Sequence, residues 1–528
     1  MGREPEDVSA GGADPVEPLE CESVQLTEGP AVRGAPAGAA RAVGLSEDGR
    51  LKSGRLAGLS MWQAVWVLSW PVMLESFLNS LVGLTDTKFA AGLGVEQTDA
   101  IGGASYIMWF IGLVIMALGV GATALISRSV GRGRMGVANA VLGQAVTMAL
   151  LAGVLVGVLV AVASGPVAEL LSMSEGASAA FGRYMTVIAV GAPGASMLFV
   201  MIACARGAGD SVSPLLAMVV RNVVNIGASY ALSGYSFDSF ENPFPFDLGV
   251  TGIAMGTVIG DAAGMGVMLW MALNGRWGIT LKRRWLRPHW HTVRRLLRLG
   301  LPNFFETFGM WIGNFAVIIL VGWLGASASA AGEGNGLLGA HIIAIRIEAF
   351  SFLPGFAMGM AAATLAGQYI GAGSEALARA AVLRCAGLAA GVMGVIGGLF
   401  VALPYEITAM LSDQEEHLAH TPDLLVICGV AQAPFALAIV FRAAMRGAGD
   451  VKVVMMLTWI ATYAIRLPAA YLISGVDIPL PDGRVLENPS ALDWGLEGLW
   501  IGLCGELVIR CLIFSVRFFL GGWTRVRV

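Results

Sequence analysis

Apolar stretches long enough to cross a bilayer recur along the chain, with short polar connections between them. A helix needs about 20 apolar residues to span the hydrocarbon core. Stretches of that kind lie near residues 66–92, 101–126, 137–163, 181–204, 213–233, 250–273, 299–324, 338–364, 379–403, 422–444, 452–473 and 496–520. The pattern predicts an all-α, polytopic membrane protein with twelve transmembrane helices. Residues 1–58 contain no apolar run and are rich in Gly, Ala, Glu and Asp, so they read as a disordered tail.

The spans fall into two sets of six. Arg206-Gly207-Ala208-Gly209-Asp210 recurs as Arg446-Gly447-Ala448-Gly449-Asp450, 240 residues later. Gly131-Arg132-Gly133 faces Gly371-Ala372-Gly373 at the same offset, and Pro71 matches Pro302 at an offset of 231. An even number of spans per half gives both halves the same orientation, so they are parallel repeats, a plan that places a transport site between them. The expected organisation is a tail (1–58), a first six-helix bundle (59–275), a basic linker (276–298), a second bundle (299–520) and a short tail (521–528). In the repeated pentapeptide the glycines suit a tight turn, the Arg a headgroup anchor and the Asp a cap for the next helix.

Charge placement sets the expected topology. Lys and Arg are retained in cytoplasmic loops. The second connection carries Arg128, Arg132 and Arg134, and the sixth carries Lys282, Arg283, Arg284, Arg287, Arg294, Arg295 and Arg298; Arg525 and Arg527 follow the last span. Asp238, Glu241, Asp247, Asp413, Glu415, Glu416 and Asp423 fall in odd connections, with Lys88 and Arg484 as exceptions. Both termini are therefore expected in the cytoplasm, under the plasma (inner) membrane. Composition agrees with a bilayer environment: 56% of the 528 residues are hydrophobic and 13% charged, against about 25% charged in soluble proteins. The net charge of −4 gives no reason to expect nucleic acid. Six cysteines (21, 204, 385, 428, 504 and 511) contain no CxxC pair and read as small hydrophobes.

Several motifs resemble the multidrug and toxic compound extrusion (MATE) family. They are Pro71-Val72-Met73-Leu74-Glu75, Gly83-Leu84-Thr85-Asp86-Thr87 and Gly92-Leu93-Gly94 in the first half. In the second they are Leu299-Gly300-Leu301-Pro302, Gly339-Ala340-His341 and Gly367 to Gly373, together with both Arg-Gly-Ala-Gly-Asp turns. The resemblance covers about residues 60–520. It implies a monomeric twelve-helix antiporter, without cofactors, that exports bulky organic cations in exchange for Na⁺ or H⁺.

Polar groups inside the spans are the candidates for chemistry, because an ionised side chain at the bilayer centre costs about 2.5–3.5 kcal/mol on insertion scales. Glu75, Asn79 and Asp86 fall on one face of the first span, and Asn222, Asn225 and Ser229 on one face of the fifth. Such oxygens suit Na⁺, and a buried carboxylate can instead carry a proton. The resemblance implies a cation site at Asp86, Asn225 and Thr257, the only metal site expected, and that for Na⁺; Ser229 stands where the family has a second carboxylate. Glu75 or Asp261 could compensate. A second family arrangement, with carboxylates in the seventh and tenth spans, meets Met310 and Phe435 here. Glu306, Glu348 and Arg466 are candidates for an ion-pair network or for the substrate cavity, and His341 for that cavity or for a hydrogen bond to a neighbouring helix. Met201, Met255, Met310, Met358 and Met360 are candidates to line a drug cavity.

A flippase or exporter of lipid-linked or anionic substrates is the alternative, favoured by intramembrane Arg221, Arg346 and Arg466. A membrane enzyme is disfavoured: no span contains HExxH or GxSxG. Two non-identical halves around polar midplane residues also suit alternating access better than a pore.

Overall fold

The computed structural model describes residues 44–170, 173–236, 241–331, 336–479 and 484–526. Expectations resting on residues 1–43, Cys21, Asp238 and Arg527 lie outside the described residues. The first half consists of α1 (Met61–Leu93), α2 (Val95–Gly131), α3 (Met135–Leu170), α4 (Glu175–Ala208), α5 (Val212–Ser233) and α6 (Val250–Leu273). The second half begins with α7 (Trp290–Ala331), α8 (Leu337–Ser351), α9 (Leu353–Gly371), α10 (Glu375–Ala402), the short α11 (Pro404–Ala409) and α12 (Glu415–Gly447). It ends with α13 (Val451–Trp459), a π-helical stretch (Ile460–Arg466), α14 (Leu467–Ser474) and α15 (Gly495–Leu520). A two-residue hairpin, Ile478–Pro479 with Val485–Leu486, is the strand pairing among the described residues.

Among the described residues eleven helices are long and apolar enough to span a membrane, and α8 with α9, bent by 43°, counts as a twelfth if the pair is one span. The bend falls at Phe352, just before Pro354, whose ring removes a backbone donor. The lipid-facing character is plain on α3, where Leu151, Leu155, Leu159 and Val162 are each more than half exposed. Hydrocarbon, which cannot exact a hydrophobic penalty, is the solvent such a face requires.

Three expectations are corrected. Residues 44–58 are folded, not a disordered tail: Leu51 and Leu56 are buried in the core of the second half, and Ser53 Oγ donates to the Val130 carbonyl at 2.6 Å. Ser60 and Gln63 then close a capping box on α1. The seventh helix starts at Trp290, inside the basic stretch 276–298, because residues 290–298 are amphipathic: Leu296 is buried while Arg294 and Arg298 point outward. The final segment is also packed, with Trp523 buried and stacked on Phe518 and Arg128 donating to the Val526 carbonyl at 2.6 Å.

Contacts between the halves gather at the end that carries the repeated turns. Thr364 Oγ1 donates to the Arg206 carbonyl at 3.1 Å, and Gln368 Nε2 to the Gly207 carbonyl at 3.2 Å. α2 and α9 cross through glycine: a Cβ on Gly131 would fall on the Gln368 carbonyl, and one on Gly371 on the Arg128 carbonyl. Gly300 of α7 approaches the Ala117 carbonyl of α2 in the same manner. The linker is held to the first half by Gln144, whose amide donates to the carbonyls of Trp285 (2.6 Å) and Arg287 (2.7 Å).

Candidate functional site

Each half encloses a cluster of polar side chains, and the two clusters differ in sign. In the first half, Arg221 of α5 pairs with Asp261 of α6 at 2.5 Å and donates to Asn222 Oδ1 at 3.2 Å. Asn225, fully buried one turn on, donates through Nδ2 to Thr257 Oγ1 at 3.1 Å, and Thr257 donates in turn to the Ile253 carbonyl. Ser229 Oγ donates to the same carbonyl at 3.4 Å. Oδ1 of Asp86, of Asn79 and of Asn225 is buried without a hydrogen-bond partner among the described residues.

Glu75 does not belong to this group. It pairs with Arg206 at 2.6 Å, near the junction of the halves. The angular coincidence of Glu75 and Asp86 is real, but eleven residues of helix separate them by about 16 Å along the axis. Asp261 is likewise held by Arg221, so neither acid is free to replace the carboxylate lost at Ser229.

In the second half the expected Glu306–Glu348–Arg466 network is absent among the described residues. Glu306, fully buried, pairs with Arg446 at 2.6 Å, accepts from Thr458 Oγ1 at 2.8 Å and lies 3.9 Å from Arg442. Arg466 instead approaches Glu506 at 3.3 Å and donates to Asn314 Oδ1 at 2.6 Å. Glu348 offers its backbone carbonyl to Ser351, and its carboxylate joins no ion pair among the described residues. Glu506, Arg510 and Arg442 were not singled out from the sequence. The available signal was a Glu and an Arg one turn apart inside the last apolar stretch, paired here at 2.6 Å, and a second intraspan Arg one turn before Arg446. Arg442 donates to the Met310 thioether at 3.0 Å. Met201 and Met358 are buried packing residues. His341 Nδ1 accepts from Trp500 Nε1 at 3.0 Å, the interhelical bond expected of it.

The first of the repeated turns carries out two of its three expected tasks, and the second carries out one. Gly209 and Gly449 adopt φ of 94° and 92°, the left-handed region that favours glycine. Asp210 Oδ1 accepts from the backbone of Val212 and Ser213, each at 3.0 Å, and so caps α5. Asp450 caps nothing: Arg517 of α15 binds its carboxylate at 2.7 and 3.0 Å. The two arginines turn inward to Glu75 and Glu306 rather than out to headgroups, and these pairs stand at equivalent positions of the two halves.

No group of three or more His, Cys, Asp or Glu side chains suited to a metal ion occurs among the described residues.

Two repeated helical bundles, closed on each other at one end and holding charged groups inside apolar helices, are the plan of a membrane transporter. The MatE family model matches residues 71–231 and 302–472, one stretch in each half, and the chain belongs to that family of efflux transporters, not to the enzymes. It is 26% identical over 461 residues to a probable multidrug resistance protein NorM of Thermotoga maritima, covering 87% of this chain and 92% of the relative. It is 25% identical to the multidrug resistance protein PmpM of Pseudomonas aeruginosa, covering 84% of this chain and 89% of that one. A solved MOP-superfamily transporter from Pyrococcus furiosus shares the fold, with a TM-score of 0.75 at 20% identity over 88% of this chain and 96% of its own.

Proposed function

We propose that the protein is an H⁺-coupled antiporter that exports drugs or other small xenobiotics bearing a cationic group. It acts by alternating access as a monomer in the plasma (inner) membrane, with both termini and the Arg-Gly-Ala-Gly-Asp turns on the cytoplasmic side. The names of the relatives support drug efflux. The basic second and sixth connections support the topology.

One observation carries the coupling assignment. Of the three acids in α1 and α6, Glu75 and Asp261 are neutralised by arginine, whereas Asp86 has an unpartnered buried oxygen among the described residues. A carboxylate without a counter-charge costs more to enclose than its protonated form, so closing the half over it favours proton uptake. A cationic substrate and a proton then compete for one charge, and that competition is the exchange. Asn225 and Thr257 position the neighbouring helices, and Asn222 shares Arg221 with Asp261. A single carboxylate suffices for a proton, whereas Na⁺ calls for a fuller oxygen shell.

The test is efflux of a cationic dye from proteoliposomes under an imposed pH or Na⁺ gradient. Asp86→Asn should insert and fold normally, bind dye, and lose coupled efflux by at least about tenfold, since it removes the one exchangeable charge. Wild-type rates in Asp86→Asn would overturn the assignment, and drive by Na⁺ alone at equal pH would overturn the choice of proton.

A further inference from the structure

The halves are repeats, so the first half serves as an internal reference for what the second has changed. The repeated turns, the left-handed glycine caps at Gly234 and Gly475, and the left-handed Gly249 and Gly495 fix the correspondence. On that register Asp86 corresponds to Val317, Ile202 to Arg442, Asn225 to Arg466, Gly260 to Glu506 and Gly264 to Arg510. The second half has lost its free acid and gained three arginines and one glutamate in the same interior positions.

The backbone has been altered to accept them. Asp450 and Gly475 are one residue farther apart than Asp210 and Gly234. The π-helical stretch Ile460–Arg466 absorbs the extra residue, opposite Glu506 and Arg510: Arg466 reaches Glu506, and Arg510 donates to Thr462 Oγ1 at 3.2 Å. In the first half, by contrast, a Cβ at Gly260 would lie 2.8 Å from the Arg221 carbonyl, so helix packing leaves no room for side chains. Single-turn π insertions of this kind are frequent at functional sites.

Arg442, Arg446, Arg466 and Arg510 outnumber the carboxylates Glu306 and Glu506, and adding Glu348 still leaves an excess cation. Two of the four are incompletely satisfied. Arg442 has a thioether at hydrogen-bond distance and its nearest carboxylate at 3.9 Å. Arg466 holds Glu506 at 3.3 Å without a well-aligned bond, and its other contact is Asn314, an exposed amide in the middle of α7. Each keeps about one-seventh of its side chain accessible, whereas Arg510 is closed off at 4%. A guanidinium surplus inside a membrane domain calls for an anion, and the planar fork matches carboxylate or phosphate.

We propose that Arg442 and Arg466 bind an anionic group of the transported molecule, a carboxylate or phosphate, so that preferred substrates are zwitterions whose anionic end enters the second half. This rests on the transporter reading above and specifies its substrate class.

The test uses rhodamine B, with a free carboxylate, against two esters on the same xanthene core: its own ethyl ester, matched in all else, and rhodamine 6G, which also differs in N-alkylation and ring methyls. Their affinities are measured on the full chain in phosphatidylcholine nanodiscs, which contain no anionic headgroup. Wild-type protein should prefer rhodamine B. In Arg442→Gln and Arg466→Gln the preference should fall by at least about tenfold, the worth of one hydrogen bond to a charged group. Because a buried-arginine variant can fail to fold, Asn314→Asp is the second probe: it sets a carboxylate against Arg466 without stranding a charge, and should lower the preference likewise. Added phosphatidylglycerol that abolishes rhodamine B binding would assign the arginines to lipid and overturn the proposal, as would a preference unchanged in Asn314→Asp and in whichever arginine variants fold. Asp86-dependent rhodamine 6G efflux, measured in parallel, separates failure of this inference from failure of the antiporter reading.

Discussion

At the scale of the residue, the equivalent pairs Glu75–Arg206 and Glu306–Arg446 each tie the first helix of a half to its repeated turn, but in different surroundings. Glu306 is fully buried and contacts Arg446 and Thr458 with Arg442 close by, while Glu75 has Arg206 alone among its recorded partners. Removing one member of a buried pair leaves the other charge uncompensated, at about 3–5 kcal/mol. Glu306→Gln should therefore lower the thermal unfolding temperature in detergent clearly more than Glu75→Gln, while transport per folded molecule is retained in both. A Glu306→Gln protein that is stable but inactive would make this acid functional instead. The sequence displayed these residues as charges inside apolar stretches, and their rarity there made them visible. Partner choice was not visible. Arg466 meets Glu506 rather than Glu306 because α15 packs against the π-helical stretch, a relation that helical periodicity within one segment cannot express.

Elements were more legible than contacts. Twelve apolar stretches announced the spans, and the capped pentapeptide turns announced where two of them end. What hydropathy missed has physical causes: the start of α7 is amphipathic, and residues 44–58 bury just two side chains fully, Leu51 and Leu56. Helix packing is the next level, and α5 with α6 shows what governs it. Gly252, Gly256, Gly260 and Gly264 form a stripe on α6 that lets the two backbones approach. This approach also sets the 3.1 Å bond from Asn225 to Thr257. A Cβ at Gly256 would lie 2.5 Å from the Ser229 backbone nitrogen, so Gly256→Val must push the helices apart. Overpacking of this kind costs about 1–3 kcal/mol. Gly505 of α15 faces open space, and Gly505→Val should be close to neutral. Melting curves of the two variants give the comparison, and coupled efflux should fall in Gly256→Val alone. Equal stability would mean that α5 and α6 are not locked by the stripe.

At the scale of the whole molecule, the alternating access proposed above requires the halves to part at the end where they now touch. The segment 44–59 lies across that junction. It buries Leu51 and Leu56 in the second half while bonding Ser53 to Val130, and Arg55 to Asp210 at 3.6 Å, in the first. A Cβ on Gly44 would meet both the carbonyl of Gly131, the last residue of α2, and Ala372, the residue just past the end of α9. Opening of that end would break the segment's contacts with one half or the other, so it is placed to act as a clasp on the closed arrangement. Ser53→Ala with Arg55→Ala cuts the clasp from the first half and leaves its leucine anchor intact. The exposed Arg55 pair contributes little. The Ser53 bond is worth about 0.5–1.5 kcal/mol, so the open population should rise roughly two- to twelvefold. Spin labels at the exposed positions Arg134 and Ala376, one in each half beside the paired glycine turns, would report this as a new long-distance component. The same double variant should reach half-maximal efflux at a smaller imposed gradient, because less work is needed to open that end. An unchanged distance distribution would show that glycine-mediated crossing of α2 and α9 alone holds the closed state, and the clasp would then be packing without a role in the cycle.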